Sequence, residues 1–232
     1  MINRQGRNVP DEWESAAEHD RIRKTIIWPG EFGDIVAQAL TDYRPLSAVR
    51  MSDGEDEILL YCQAHLTTDT MLRFPRDWND KFGVTGITCG QIADRLNRAA
   101  REATYFAPDG ERNFLRQHFG LRERMLHVTW PDDISNDVKA EWFKRAAHVA
   151  ILCRSTESYQ EICKYTPEAV QIMHIPLGHW TESEEAIRLA GDSTARLVLY
   201  SGGPSGKYIG PELAKRGKVA LDVGHAVHEW WK

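Results

Sequence analysis

Three short stretches of this chain carry residue types able to do chemistry. The first, SAVRMSDGEDEILL (residues 47–60), sets Asp53 and Glu55 on either side of Gly54. Carboxylates two residues apart can point the same way from an extended or turning backbone, and the glycine between them lets another group come close to the chain. Two hard oxygen ligands of this kind suit a magnesium or manganese ion that keeps some of its water and takes phosphate oxygens for the rest. Such an ion would neutralise charge on a departing diphosphate. The same residues also read as an Asp-Gly turn leading into a helix, whose acidic first turn of Glu55, Asp56 and Glu57 suits the helix dipole.

The second stretch, LVLYSGGPSGK (residues 197–207), runs an apolar strand into a glycine-rich loop with Pro204 and two serines. Such a loop can offer backbone N–H groups to a phosphate at the start of the following helix, or serve as a plain strand-to-helix turn. It is not a Walker loop, because Ser201 stands where that motif needs Gly and Tyr208 where it needs Ser or Thr. The third stretch, VALDVGHAVHEWW (residues 219–231), ends a strand in Gly224-His225 and continues to His228 and Glu229. A histidine at the carboxyl end of a strand can ligate a metal, move a proton or touch a phosphate. The alternative is a surface histidine beside an aromatic plug of Trp230 and Trp231. A run of arginines, Arg95, Arg98, Arg101, Arg112, Arg116, Arg122 and Arg124, is interleaved with Asp94, Glu102, Asp109, Glu111 and Glu123. Mixed charge of this kind reads as a salt-bridged surface, or as a patch for pyrophosphate or an anionic acceptor.

The elements that must position these residues follow from the hydrophobic pattern. Helices are expected over Asp11–Lys24, Glu31–Thr41, Glu55–His65 and Gly90–Ala103, and a strand over Leu46–Met51. Residues 1–10 read as a loose arm, Thr67–Val84 as a long loop and 104–123 as irregular. From Met125 onward strands and helices alternate: strands at Met125–Trp130, His148–Cys153, Val170–Ile175, Arg196–Tyr200 and Val219–Val223, with helices at Asp137–Ala147, Ser155–Lys164, Thr181–Ala190 and Ile209–Arg216. That rhythm implies a mostly parallel sheet with helices on both faces, in one α/β domain over 1–232. Ligands of such sheets bind at the carboxyl ends of the strands, which points to the loops after Met51, Tyr200 and Val223.

Composition narrows the class. The 232 residues suffice for a buried core, and a net charge of −5 gives no overall pull toward nucleic acid or anionic membrane. The four cysteines form no CxxC pair and no zinc spacing, so they read as reduced, partly buried thiols. The polar stretch MINRQGRNVPDEWES lacks the apolar core of a signal peptide, and no apolar run reaches membrane-span length. A cytoplasmic protein is the expectation.

Taken together, the motifs carry a family likeness. VRMSDGE resembles the VRFGDGE-like signature of the GT-D glycosyltransferases, bacterial enzymes acting on protein-linked or surface glycans. The end of the chain resembles that family in order: Gly203-Pro204, then Leu213-Ala214-Lys215-Arg216-Gly217, then Ala220-Leu221-Asp222-Val223-Gly224-His225, then Glu229-Trp230. The resemblance implies a Rossmann-like α/β fold, a nucleotide-sugar donor (typically UDP-linked) and a divalent cation, Mn2+ or Mg2+, held by Asp53 and Glu55. By position, Arg50, Gly203, Pro204, Ser205 and Lys207 would lie near the donor and His225 would face the reacting centre. Two departures stand out. Ser52 replaces the usual Gly, and the segment after His225 is short and lacks the Asp usual two residues on, leaving His225 and Glu229 both as candidate bases.

The expected activity is metal-dependent transfer of a sugar from a nucleotide diphosphate to a hydroxyl on a glycan or protein. A modified-DNA acceptor, held by the arginines, ranks lower because the chain is acidic. A nucleotide- or phosphate-binding module without turnover is the alternative on the same fold.

Overall fold

The computed structural model describes residues 26–65, 74, 78, 84–109, 119 and 125–231. The expected arm and the helix over Asp11–Lys24 lie outside these residues, as does most of the 67–84 segment.

The strands are β1 (Ile26–Ile27), β2 (Leu46–Met51), β3 (Tyr105–Pro108), β4 (Met125–Leu126), β5 (His148–Cys153), β6 (Gln171–Pro176), β7 (Leu197–Tyr200) and β8 (Val219–Asp222). They form one eight-stranded sheet in the order β1-β4-β3-β2-β8-β7-β5-β6. Every pairing is parallel. Parallel strands must be covered on both faces, which is why LSAVRM, HVAILC and LVLY are near-continuous apolar runs.

Side chains alternate between two cores. Val49, Met51, Ala150, Leu152, Val198, Tyr200 and Ala220 point to the first. Leu46, Ala48, Val149, Ile151, Leu197, Leu199, Val219 and Leu221 point to the second. The helices are α1 (Pro29–Thr41), α2 (Asp53–His65), α3 (Cys89–Glu102), α4 (Trp130–Asp133), α5 (Asn136–Ala146), α6 (Thr156–Tyr165), α7 (Ser183–Asp192) and α8 (Ile209–Lys215). The first core is closed by α2, α3, α7 and α8, through residues such as Ile58, Leu96, Ile187 and Leu213. The second is closed by α1, α4, α5 and α6 together with the terminal segment, through Phe32, Trp130, Trp142, Ile162 and Trp230. Local signals start the helices: Thr88 and Gln91 form a reciprocal capping box on α3, and Ser135 and Ser155 cap α5 and α6.

Sequence reading missed or displaced a few elements. Residues 104–123 were expected to be irregular, yet Tyr105–Pro108 is β3, paired from Ala48↔Tyr105 to Met51↔Pro108. This four-residue run is held by the ladder to β2, and Pro108 is tolerated at its end, where a donor is least needed. The strand expected over Met125–Trp130 stops at Leu126, because Pro131 starts α4 at Trp130. Helix α2 begins at Asp53, so Asp53-Gly54 is a first helical turn and not a reverse turn ahead of Glu55. The two-residue β1 was not anticipated.

The topology makes the connections diverge at the carboxyl edge, the setting of a crevice. Adjacent strands β2 and β8 send their following segments to opposite faces: β2 into α2 on the first core, β8 into a 3₁₀ segment, Gly224–Glu229, on the second. Strand β7 lies on the other side of β8 and leads back to the first core through Pro204–Gly206 and α8. Ligands of open parallel sheets bind where neighbouring connections diverge in this way. Among the described residues, no helix is long and apolar enough to cross a membrane.

Candidate active site

The crevice gathers all three motifs. Its organiser is Asp222, the last residue of β8, which is 1% exposed. Its Oδ2 accepts the backbone N–H of Arg50 at 3.2 Å and the Lys207 ammonium at 2.8 Å. Its Oδ1 accepts the Gly224 N–H at 3.2 Å. One carboxylate therefore ties the end of β2, the glycine-rich loop and the start of the terminal segment. The sequence offered one signal for it, an apolar strand ending in Asp within ALDVGH, and Asp222 was not singled out.

Lys207 also reaches Glu55 Oε1 at 3.3 Å, and both partners are buried. Burial pulls the Lys207 ammonium down, but the Asp222 and Glu55 carboxylates outweigh it and leave it above the ordinary lysine value, with Arg50 opposing. The other Glu55 oxygen, Oε2, accepts the Ser52 N–H at 2.8 Å. Ser52-x-x-Glu55 is the spacing of a capping box, and here the glutamate half is formed. Asp53, two residues before Glu55 on α2, is exposed, with its Oδ1 accepting the Gly54 N–H at 3.0 Å.

Arg50 shares the parity of Leu46 and Ala48, so its side chain leaves the sheet on the side of the terminal segment. Its Nη1 lies 3.3 Å from where a Cβ on Gly224 would stand, and Gly224 has φ +53°. Glycine thus serves twice there, in conformation and in leaving room over the guanidinium. The Nε of Arg50 is buried with no hydrogen-bond partner, and among the described residues no carboxylate pairs with Arg50. A guanidinium without a carboxylate partner can accept an anion.

The glycine-rich loop is built differently from a phosphate cradle of side chains. Gly203 is exposed, whereas Pro204, Ser205 and Lys207 are buried. A Cβ on Gly202 would stand 3.0 Å from the Gly206 Cα, so the loop closes tightly on itself. Arg95 of α3 reaches the Ser205 carbonyl at 3.5 Å and sits over the rings of Tyr208 and Trp180, at 4.7 and 5.1 Å. Arg95 is therefore a brace for this loop. Arg98 pairs with Glu102 and Glu212, as a salt-bridged surface requires. Arg112, Arg116, Arg122 and Arg124 lie outside the described residues.

His225 and Glu229 are both exposed on the terminal segment. That segment is fastened from below. The Lys139 ammonium donates to the Trp230 carbonyl at 2.7 Å, Asn136 donates to the Trp231 carbonyl at 2.8 Å, and the Trp231 indole donates to the Ile162 carbonyl at 3.0 Å. His228 Nδ1 meets the Ser158 hydroxyl. Trp230 is buried, as the aromatic-plug reading requires.

As for a metal, among the described residues no group of three or more His, Cys, Asp or Glu side chains is arranged to hold one. Asp53 presents an open carboxylate, while both Glu55 oxygens are engaged. The set fits an ion that takes one protein carboxylate and completes its shell with phosphate oxygens and water.

No curated protein matches the chain. Two solved structures resemble it in fold at 15% identity. One, described as the highly conserved domain of unknown function 1792 with a distinct glycosyltransferase fold, superposes with a TM-score of 0.56 over 93% of this chain and 84% of that one. The other, a selenomethionine-substituted structure of the same domain, gives 0.54 over 92% and 85%. A family profile, the GT-D fold-like domain, matches residues 29–230. With an all-parallel sheet, a carboxyl edge where the three motifs meet and a profile match across nearly the whole described chain, this protein belongs to the GT-D-like family and has its glycosyltransferase fold.

Proposed function

We propose that this protein transfers a sugar from a nucleoside diphosphate donor, of which UDP-linked sugars are the leading candidates, to a hydroxyl acceptor on a glycan or protein. The observation that carries this reading is Arg50, a guanidinium without a carboxylate partner near the carboxyl end of β2, beside Gly224 and the segment that follows β8. Its fork matches two diphosphate oxygens, and Gly224 leaves them room to approach. Stabilising charge on the leaving diphosphate is the largest electrostatic demand of such a reaction. A Mg2+ or Mn2+ ion anchored on Asp53 would supply further positive charge to the same phosphates.

Lys207 acts on the donor only indirectly. Buried between Glu55 and Asp222, it fixes the loop and the backbone of Arg50 and leaves phosphate contact to Arg50 and to backbone N–H groups near Gly203. His225 follows Gly224 directly and is exposed at the rim, which makes it the leading base for the acceptor hydroxyl. Glu229, four residues further on, is the second candidate. Arg95 and Arg98 already have partners, so a DNA acceptor would have to be held by the other arginines of the run.

Calorimetric titration of UDP and UDP-glucose, with and without Mn2+, tests the reading. The wild type should bind, and Arg50→Met should weaken UDP at least tenfold, with Asp53→Ala removing the Mn2+-dependent part. UDP binding that is indifferent to Arg50→Met would overturn the assignment. Slow donor hydrolysis in the presence of Mn2+ separates an enzyme from a binding module, which should give none above background.

A further inference from the structure

We infer that Lys207 is the resident cation of this site: its ammonium fills the place between Glu55 and Asp222 that a divalent ion would otherwise take, and so withholds Glu55 from metal. This deepens the sugar-transfer reading and rests on it only for what the ion is for. Four oxygens decide the matter. Glu55 Oε1 and Asp222 Oδ2 converge on one ammonium at 3.3 and 2.8 Å. Glu55 Oε2 holds the Ser52 N–H and Asp222 Oδ1 holds the Gly224 N–H. Neither carboxylate keeps an uncommitted oxygen facing the crevice.

Burial points the same way. A divalent ion bound to Glu55 would have to expel an ammonium that is only 5% exposed, stranding it in the interior. An ion on exposed Asp53 displaces nothing. The paired-carboxylate pattern of Asp53 and Glu55 therefore divides into two jobs: Asp53 faces the ligand, while Glu55 caps α2 and anchors Lys207.

The test is a Mn2+ titration of the full chain, read as loss of the free-ion signal by electron paramagnetic resonance, with no activity measured. Lys207→Ala opens two converging carboxylates and should bind Mn2+ at least tenfold more tightly than the wild type. The double variant Lys207→Ala with Glu55→Gln should lose that gain, and Lys207→Arg, which keeps a cation in place, should titrate like the wild type. A folded Lys207→Ala protein that binds Mn2+ no better than the wild type would overturn the inference. Should Lys207→Ala fail to fold, Glu55→Gln alone decides: its curve must match the wild type within twofold, and a tenfold weakening means Glu55 is a ligand after all. Failure of the sugar-transfer reading would look different, as an absence of UDP binding in the wild type at any Mn2+ concentration.

Discussion

Lys207, at the carboxyl edge of the sheet, and Lys139, beneath the terminal segment, are 5% and 2% exposed. Lys207 faces two carboxylates, which hold its ammonium above the ordinary lysine value despite burial. Lys139 has a backbone carbonyl at 2.7 Å and the Trp230 ring, whose centroid is 4.7 Å away. Burial dominates there and pulls Lys139 down, with Asp132 only opposing it. Lys218 repeats the second pattern: it donates to the Ser193 carbonyl at 2.6 Å and is lowered by burial. Burial alone thus does not set the state of an interior lysine; its partners do. At the carboxyl edge Lys207 is matched by carboxylates, whereas the buried lysine under the tail has no carboxylate in contact.

That contrast predicts unequal consequences of removing each ammonium. Lys207→Met strands Glu55 and Asp222 in the interior and should cost about 3–5 kcal/mol of stability, read by urea denaturation. A loss below about 1 kcal/mol would mean that water reaches these carboxylates, and the distinction between the two regions would fail. Asp222→Asn should cost less, about 2 kcal/mol, because Lys207 keeps Glu55 and the amide oxygen can still accept from Gly224 or Arg50. The same substitution should weaken UDP binding, since a single amide oxygen cannot hold the Arg50 and Gly224 N–H groups at once. Full retention of UDP affinity in a folded Asp222→Asn protein would separate the cluster from donor binding.

The contrast also explains what the sequence could and could not convey. Strands β5, β7 and β8 were legible because fully buried parallel strands are unbroken apolar runs flanked by turn residues. Strand β3 was not, because YFAP is short, ends in proline and is specified by its partner β2. The loops after β2, β7 and β8 stood out because ligands of parallel sheets bind at the carboxyl edge, and the structure brings those three segments together at Asp222. The direction of each side chain was harder. A Gly-rich loop ending in Lys207 looks the same whether the ammonium faces a phosphate or the interior. Ser52-Asp53-Gly54-Glu55 likewise spells both a metal pattern and a capping box, and only the position of Lys207 separates the two jobs. Asp222 was invisible for a related reason: a single Asp at a strand end says nothing of the three donors that converge on it.

The smallest effect is the most direct measure of the difference between the lysines. Lys139 is lowered on folding from an ordinary value of 10.5, so between its folded value and 10.5 the unfolded chain holds more protons than the native one. Stability must rise with pH across that window. Lys207 is raised, so its contribution is complete below 10.5 and is lost only as pH climbs through its higher folded value. Denaturation of the wild type and Lys139→Met, followed from about pH 8 to about pH 11, isolates the first effect, because every other titrating group cancels in the difference. The stability of the variant relative to the wild type should be highest at the low-pH end and fall as pH rises. Loss of the Trp230 carbonyl's donor adds a constant offset but no slope. A difference that stays flat over the whole range would mean that Lys139 keeps its ordinary proton affinity, so that the indole face and carbonyl compensate its charge as fully as two carboxylates compensate that of Lys207.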